Sequence, residues 1–439
     1  MSKRFWLLIT ATIAMAMVIA SCAPAATPAP AAPVEPAAPA APAPTGPCFG
    51  AKTGDELSVI YQWSGAEEEN INKILKPLLD KCGFKVVAES TRDNAVLDTK
   101  VKSTPPDVVF WPTTAPLTLY PTKLVDLSTV NADAANYAAF WKTMGTVGGK
   151  WLALPVKADP KTIIWYSPAK FTEYGYTVPA TFADLDALVE KMVADGRVPW
   201  SMGMESGAAT GWTGSDFIQD LLLVQQGPDY VNKIISGEIR YDDAGVQAAY
   251  ATYNKWASNT KYTVGGADGT INTSFLNAIY KVFQPKPEAM MVKQSGFAGG
   301  EVKKQFPTLE YGKDYDFFGF PDAKGLQGGA DFLFAFSDKP VVKALLAYLT
   351  SAEGAANWAA SGFNLSPNSL AAGKYTDVAT NKQADILLGA KGFTPDLGDT
   401  IPAPFGEAEW AAIIKVVQGG DIATALADVA KVQMSALGK

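Results

Sequence analysis

The chain has 439 residues, 48% hydrophobic and 18% charged, which is long enough for two or three domains because single cores stop growing near roughly 250–300 residues. With 37 basic against 44 acidic residues the formal net charge is −7, which argues against nucleic acid as a partner, since that affinity rests on Lys and Arg neutralising phosphates. There is no histidine and there are three cysteines, so Ser-His-Asp and Cys-His catalysis, imidazole metal sites and four-thiolate zinc sites are excluded, and the composition leans toward binding.

Lys3 and Arg4 precede an apolar run from Phe5 to Ala20 that ends in Ile19-Ala20-Ser21-Cys22. A basic start, a short apolar stretch and small residues at its end make an export signal, too short for a membrane span of about 20 apolar residues. Cysteine directly after Ala-Ser resembles the bacterial lipobox. That resemblance implies that residues 1–21 are a signal peptide and that Cys22 carries lipid. The alternative is an ordinary signal peptide with an incidental cysteine. Residues 22–48 read as a linker, and Ala23 to Pro47 holds 11 Ala and 9 Pro. Such a segment cannot build a core, and at about 3.1 Å per residue in polyproline II it could reach up to about 75–80 Å. The expected location is extracytoplasmic, anchored by lipid to the bacterial cell membrane.

The body opens with a strand at Leu57–Trp63, a helix at Asn70–Lys81 and a strand at Phe84–Ala88. If those strands are parallel, Cys48 and Cys82 lie near their N-terminal ends on one sheet edge. A Cys48–Cys82 disulfide is then expected in exported sequence, the alternative being two free buried thiols. Ser64 to Glu67 reads as a capping box, with Glu67 to Glu69 complementing the first helical turn. Further strands are expected at Asp107–Trp111, Trp151–Pro155, Thr162–Tyr166, Glu288–Val292, Tyr315–Phe320 and Asp331–Phe336. Helices are expected from Thr181, over 213–225, 243–259 and Pro340–Leu349, from Thr350, and through the tail from Glu407, broken near Gly419-Gly420. Strands alternating with helices indicate an α/β fold with mixed, mostly parallel sheets.

Catalytic motifs mostly fail. Gly148-Gly149-Lys150 lacks the phosphate-loop glycine at Met144 and the Ser or Thr at Trp151. Ser167 to Lys170 and Lys52-Thr53-Gly54 match two motifs of penicillin-interacting enzymes, but in reversed order and without the third. Asp314-Tyr315-Asp316 starts like a calcium loop but meets Phe318 at a ligand position. Paired carboxylates for glycoside hydrolysis are the surviving enzyme hypothesis, because their spacing is spatial. No cofactor and no metal is expected.

In this order, Leu57–Trp63, Pro106–Trp111 and Gly149–Pro155 running into Ile164-Trp165-Tyr166 resemble the extracellular solute-binding proteins of ABC sugar importers, the maltose-binding-like family. Gly328 to Asp331, Tyr348 to Glu353 and Ser366-Pro367-Asn368 are similar to its branch for α-glucosides and related oligosaccharides. The resemblance covers nearly all of residues 55–438 and implies a two-lobed periplasmic-binding-protein fold (type II) with the ligand cleft between the lobes. Lobe one would be 49–157 plus 331–364, and lobe two 158–330 plus 365–439. It further implies no catalysis, a monomer, an oligosaccharide ligand and lobe closure that is read by the transmembrane permease subunits. The alternatives are another solute on the same fold, such as a polyol, glycerophosphodiester or peptide, and a secreted carbohydrate-active enzyme.

A sugar has apolar faces for aromatic rings and a hydroxyl rim for planar polar groups. Such sites lie beyond strand ends. These criteria and the resemblance select Trp63, Ser64 and Glu67 after the first strand, Arg92 and Asp93 after the second, and Trp111, Thr113 and Thr114 after the third. They also select Asp159 and Lys161 at the first crossing, Trp212 and Asp216 at a helix start, Gln294 and Phe297 after a strand, Asp331 at the return crossing, and Phe405 before the C-terminal helix. Maltose binders place an Asp-Arg pair where Thr114-Ala115 stands, so maltose itself is disfavoured. Trp165, Trp256, Trp358 and Trp410 sit inside patterned elements and read as core. With no histidine, affinity should change little between about pH 6 and pH 8.

Overall fold

The computed structural model describes residues 46–439 apart from Gly65 and Arg92. The expected signal peptide, Cys22, most of the Ala/Pro linker and the candidate Arg92 therefore lie outside the described residues. Eleven strands follow in chain order: β1 Glu56–Tyr61, β2 Lys85–Ser90, β3 Val108–Trp111, β4 Thr146–Val147, β5 Lys150–Trp151, β6 Leu154–Pro160, β7 Ile163–Tyr166, β8 Met291–Lys293, β9 Asp316–Gly319, β10 Leu326–Ala335 and β11 Phe393–Pro395.

The first sheet has the order β11-β10-β3-β1-β2, with β6 also paired to β10. β1 runs parallel to β2 and β3, while β10 lies antiparallel to β3 and β6. Side chains alternate across it with period 2. Leu57, Val59, Tyr61, Val108 and Phe110 enter one apolar cluster, whereas Ile60, Val109 and Trp111 enter the cluster on the other face. This explains the near-continuous apolar run Val108–Trp111, a central strand buried on both faces between parallel β1 and antiparallel β10.

The second lobe holds the sheet β8-β7-β9, flanked on one face by Ile163, Trp165 and Phe317 and on the other by Ile164, Tyr166 and Phe318. It is less parallel than expected: both ladders are antiparallel, and parallel pairing is confined to isolated bridges such as that from Trp200 to Met291. Leu365, Ala371, Tyr375 and Phe393 pack in the same cluster as Val109 and Trp111, whereas Leu397 to Ala430 pack with the second core. The segment 365–393, expected wholly in lobe two, thus shares its core with the first sheet.

Cys48 and Cys82 are joined by a disulfide with Cα atoms 5.5 Å apart. The parallel register of Glu56 with Lys85 brings the two N-terminal strand ends together, as the sequence reading required. The expected strand at Trp151–Pro155 is instead the end of the β4-β5 hairpin and the start of β6. β10 begins at Leu326, five residues ahead of the expected Asp331. Gly328-Gly329 hides this extension, because glycine normally weakens strands. No described helix is long and apolar enough to cross a membrane.

Candidate functional site

The two lobes are joined through β6 and β10. These strands pair antiparallel from Gly328 with Pro160 to Asp331 with Lys157, and the register shifts between Asp331 and Phe332. Residues two apart share a strand face, so Lys157 lies with Asp159, and Gly329 with Asp331. At Gly328 the carbonyl of Asp159 occupies the space a Cβ would need. The Lys157 ammonium sits 2.9 Å from Glu67, 3.4 Å from Asp331 and 4.9 Å above the Phe363 ring. Burial alone would depress its pKa, but Asp331 and Glu67 outweigh this and raise it. Asp331 accepts hydrogen bonds from Trp63 Nε1 at 2.7 Å and from Gln62 Nε2 at 3.2 Å.

Two cavities open beside this ladder. One, of about 430 Å³, is lined by Gln62, Thr113, Thr114, Asp331, Phe332 and Asp396 among others. The other, of about 320 Å³, includes Asp159, Phe297, Asn364 and Tyr375. The second lobe contributes a row of aromatic rings. Trp212 and Phe275 meet edge to face with centroids 5.4 Å apart, and Phe275 meets Phe297 at 6.1 Å. Trp212 and Phe275 are half-buried, and Phe297 is 39% exposed. Trp212 opens the helix Trp212–Gln225, and Gly211 caps it with φ +119°. A Cβ on Gly211 would lie 2.6 Å from Trp410 Cβ, so glycine lets the helix start beneath that ring. Trp410, expected in the core, is half-buried over this turn. Lys161 Nζ lies 5.5 Å from the Trp212 ring centre and pairs with Asp396 and, at 3.7 Å, with Asp216.

Behind Lys161 the charges are buried. Lys293 lies 3.7 Å from Asp216 and 3.3 Å from Asp220, and Gln327 Nε2 donates to Asp220 at 2.6 Å. Burial raises the Asp216 carboxyl well above the usual range despite Lys161, and the adjoining Asp396 adds to the rise. Burial also raises Asp159, only partly offset by Lys161 and Lys157. Farther in, Glu409 is fully buried and accepts from Ser215 at 2.8 Å and from Tyr241 at 2.7 Å. Burial pushes its carboxyl up to about 7 against those hydrogen bonds. The expectation that affinity changes little between about pH 6 and pH 8 concerned unperturbed side chains, and Glu409 is a desolvated carboxylate raised into that range.

Several expected ligand residues have other work. Trp63 is fully buried between Tyr61, Phe110 and Phe363, Trp111 is 4% exposed, and Phe405 is fully buried against Tyr241. None of the three rings can cover a sugar, because each fills its lobe's core. Asp93 caps the helix Asn94–Ser103 by accepting from Ala95 N at 2.7 Å. The Ser64 carbonyl accepts from Glu67 N, while the Glu67 carboxylate turns to Lys157. Gln294 is buried, with its Oε1 taken by Ser295 N. Thr113, Thr114 and Asp331 line the larger cavity, and Asp159 and Phe297 the smaller. Lys161, Trp212 and Asp216 stand together beside them. Sequence reasoning missed Gln62, Lys157, Phe275 and Asp396. Phe275 opens a helix after the cap Ser274, a position the helix-start criterion could have found. Nothing local marks Asp396.

A model of the bacterial extracellular solute-binding proteins matches residues 66–356. The α-glucosides-binding periplasmic protein AglE of Rhizobium meliloti (strain 1021) is 30% identical over 409 residues, 86% of this chain and 87% of the relative. The osmoprotective compounds-binding protein GgtB of Synechocystis (strain ATCC 27184 / PCC 6803 / Kazusa) is 27% identical over 84% of this chain and 91% of its own. Among solved structures, the bacterial solute receptor AcbH superposes with TM-score 0.73 at 19% identity, over 87% of this chain and 98% of that one. RafE from Streptococcus pneumoniae superposes with TM-score 0.70 at 16% identity, over 88% and 100%. The matched family and AglE are solute-binding proteins, and the enzyme hypothesis with paired carboxylates falls with them. Sequence, fold and cleft agree that the chain belongs to the bacterial extracellular solute-binding proteins, a non-enzymatic family.

Proposed function

We propose that this protein is the sugar receptor of an ABC importer. It takes an α-glucoside-like oligosaccharide between its lobes, closes on it, and presents it as a monomer to the transmembrane permease subunits. Lipid on Cys22 and the Ala/Pro linker hold it outside the cytoplasm. The observation that carries the reading is the pairing of surfaces around β6 and β10. The half-exposed row Trp212, Phe275 and Phe297 offers apolar faces, and Gln62, Thr113, Thr114, Asp159 and Asp331 offer polar groups for a hydroxyl rim. The likeness to AglE, a protein named for α-glucosides, supports the sugar class. GgtB, named for osmoprotective compounds, favours a second reading in which the solute is a small osmoprotectant such as a polyol.

Calorimetry with trehalose, sucrose, maltose and raffinose, and with simple polyols such as glycerol and sorbitol, tests both. Trp212→Ala and Phe297→Ala should each weaken the best ligand by at least about tenfold, or about 1.4 kcal/mol, with the melting transition little changed. Trp111→Ala should instead cost about 3–5 kcal/mol of stability, because it empties a packed core. Unchanged affinity in both cleft variants would remove this site.

A further inference from the structure

The charges around the cleft are unevenly paired. Lys157 is shared by Glu67 and Asp331, and Lys161 is shared by Asp216 and Asp396. Each of these two ammonium groups is thus already surrounded by carboxylates. Asp159 stands between them in sequence, near the end of β6, and lines the smaller cavity beside Phe297. Among the described residues its carboxylate accepts no hydrogen bond and has no cation within 4 Å, although Lys157 and Lys161 act on it from farther away. Four carboxylates, Glu67, Asp331, Asp216 and Asp396, thus share Lys157, Lys161 and, behind Asp216, Lys293, while Asp159 adds a fifth carboxylate with no close cation of its own among the described residues.

A carboxylate accepts hydrogen bonds and donates none. A sugar hydroxyl or an ammonium group supplies the proton Asp159 lacks, while a phosphate or uronate brings a second anion beside it. In a half-buried cavity that repulsion is screened far less than at the surface. Resting on the reading of the cleft as a sugar site, we propose that the receptor selects by charge. It takes neutral or amine-bearing glycosides and excludes anionic ones, and Asp159 is the residue that sets this discrimination.

The test uses trehalose, sucrose and maltose, each as the parent, its 6-phosphate and its 6-amino-6-deoxy derivative. Titration calorimetry is run on the full mature chain and on Asp159→Asn, at low and high salt. For whichever skeleton binds, the phosphate should bind at least about tenfold more weakly than the parent at low salt. The amine should bind at least as tightly as the parent. Added salt should narrow the gap in the wild type, which a purely steric rejection would not do. Asp159→Asn should narrow it by about threefold or more and remove the preference for the amine. A phosphate that binds as tightly as its parent overturns the charge inference and leaves the sugar reading standing. So does a gap that neither salt nor Asp159→Asn changes. If no form of any skeleton binds, the sugar reading itself falls and the inference with it.

Discussion

Glu409 shows how much one buried side chain can change the pH response of a protein without histidine. Its carboxyl is held near 7 in the fold, against an ordinary value near 4.5 in the unfolded chain. Between those values the native state keeps a proton that the unfolded state has lost. Stability therefore falls as pH rises from about 4.5 to about 7, and the full loss is present above that. The shift corresponds to roughly 3 kcal/mol. Glu409→Gln cannot ionise and still accepts from Ser215 and Tyr241. Urea unfolding at pH 5 and pH 8 should show the wild type losing stability by an amount of that order, with the variant losing much less. Parallel losses in the two would place the titrating group elsewhere. The same scale separates the tryptophans. Trp63 and Trp212 are alike in sequence context, each at the end of an element and followed by small polar residues. Only the packing of Tyr61, Phe110 and Phe363 around one, and the edge of Phe275 with Lys161 beside the other, distinguishes a buried core ring from a half-buried one.

At the scale of the element, the two crossing strands hold the site together. Gly328 and Gly329 are neighbours in β10 with opposite constraints. A Cβ at Gly328 runs into the Asp159 carbonyl, whereas one at Gly329 meets nothing within 4 Å. Gly328→Ala should therefore push β6 away, cost about 1–3 kcal/mol and weaken ligand binding through a displaced Asp159. Gly329→Ala should leave stability within about 0.5 kcal/mol of the wild type. Equal urea midpoints for the two variants would show that the strands are not held this closely. Much of the fold was legible at this scale. The apolar run Val108–Trp111, the capping box at Thr181 with Asp184 and the periodic helix Trp212–Gln225 all report local preferences. β10 was only half legible, because its first residues are stabilised by β6 and β11 rather than by their own composition.

Across the whole molecule, the Cys48–Cys82 bond ties the start of the described chain to the end of the helix Ala66–Cys82. It spans a sequence separation of 34 residues, and closing a loop of that length in the unfolded state contributes about 3–4 kcal/mol in the chain-entropy account. The Cys48→Ser/Cys82→Ser double variant should lose stability on that order in the transition of the first lobe. The second-lobe transition, whose core lies in separate clusters, should move little. Calorimetric scanning resolves this, and a shift common to both transitions would mean that the lobes unfold as one.

The sequence by itself determined the α/β alternation, the absence of histidine chemistry, the disulfide partners and the crossing residues Asp159, Lys161 and Asp331. The first three are written in local periodicity, in composition or in a position near a strand end, and the crossing residues in the resemblance to the solute-binding family. Only the tertiary structure decided which rings are buried in a core and which stay half-exposed, that Glu67 pairs with Lys157, and that Asp396 meets Lys161 from 235 residues beyond it. It also decided that Glu409 titrates near neutrality. Burial and electrostatic pairing are sums over neighbours that the chain brings together only when it folds, and no local pattern encodes them.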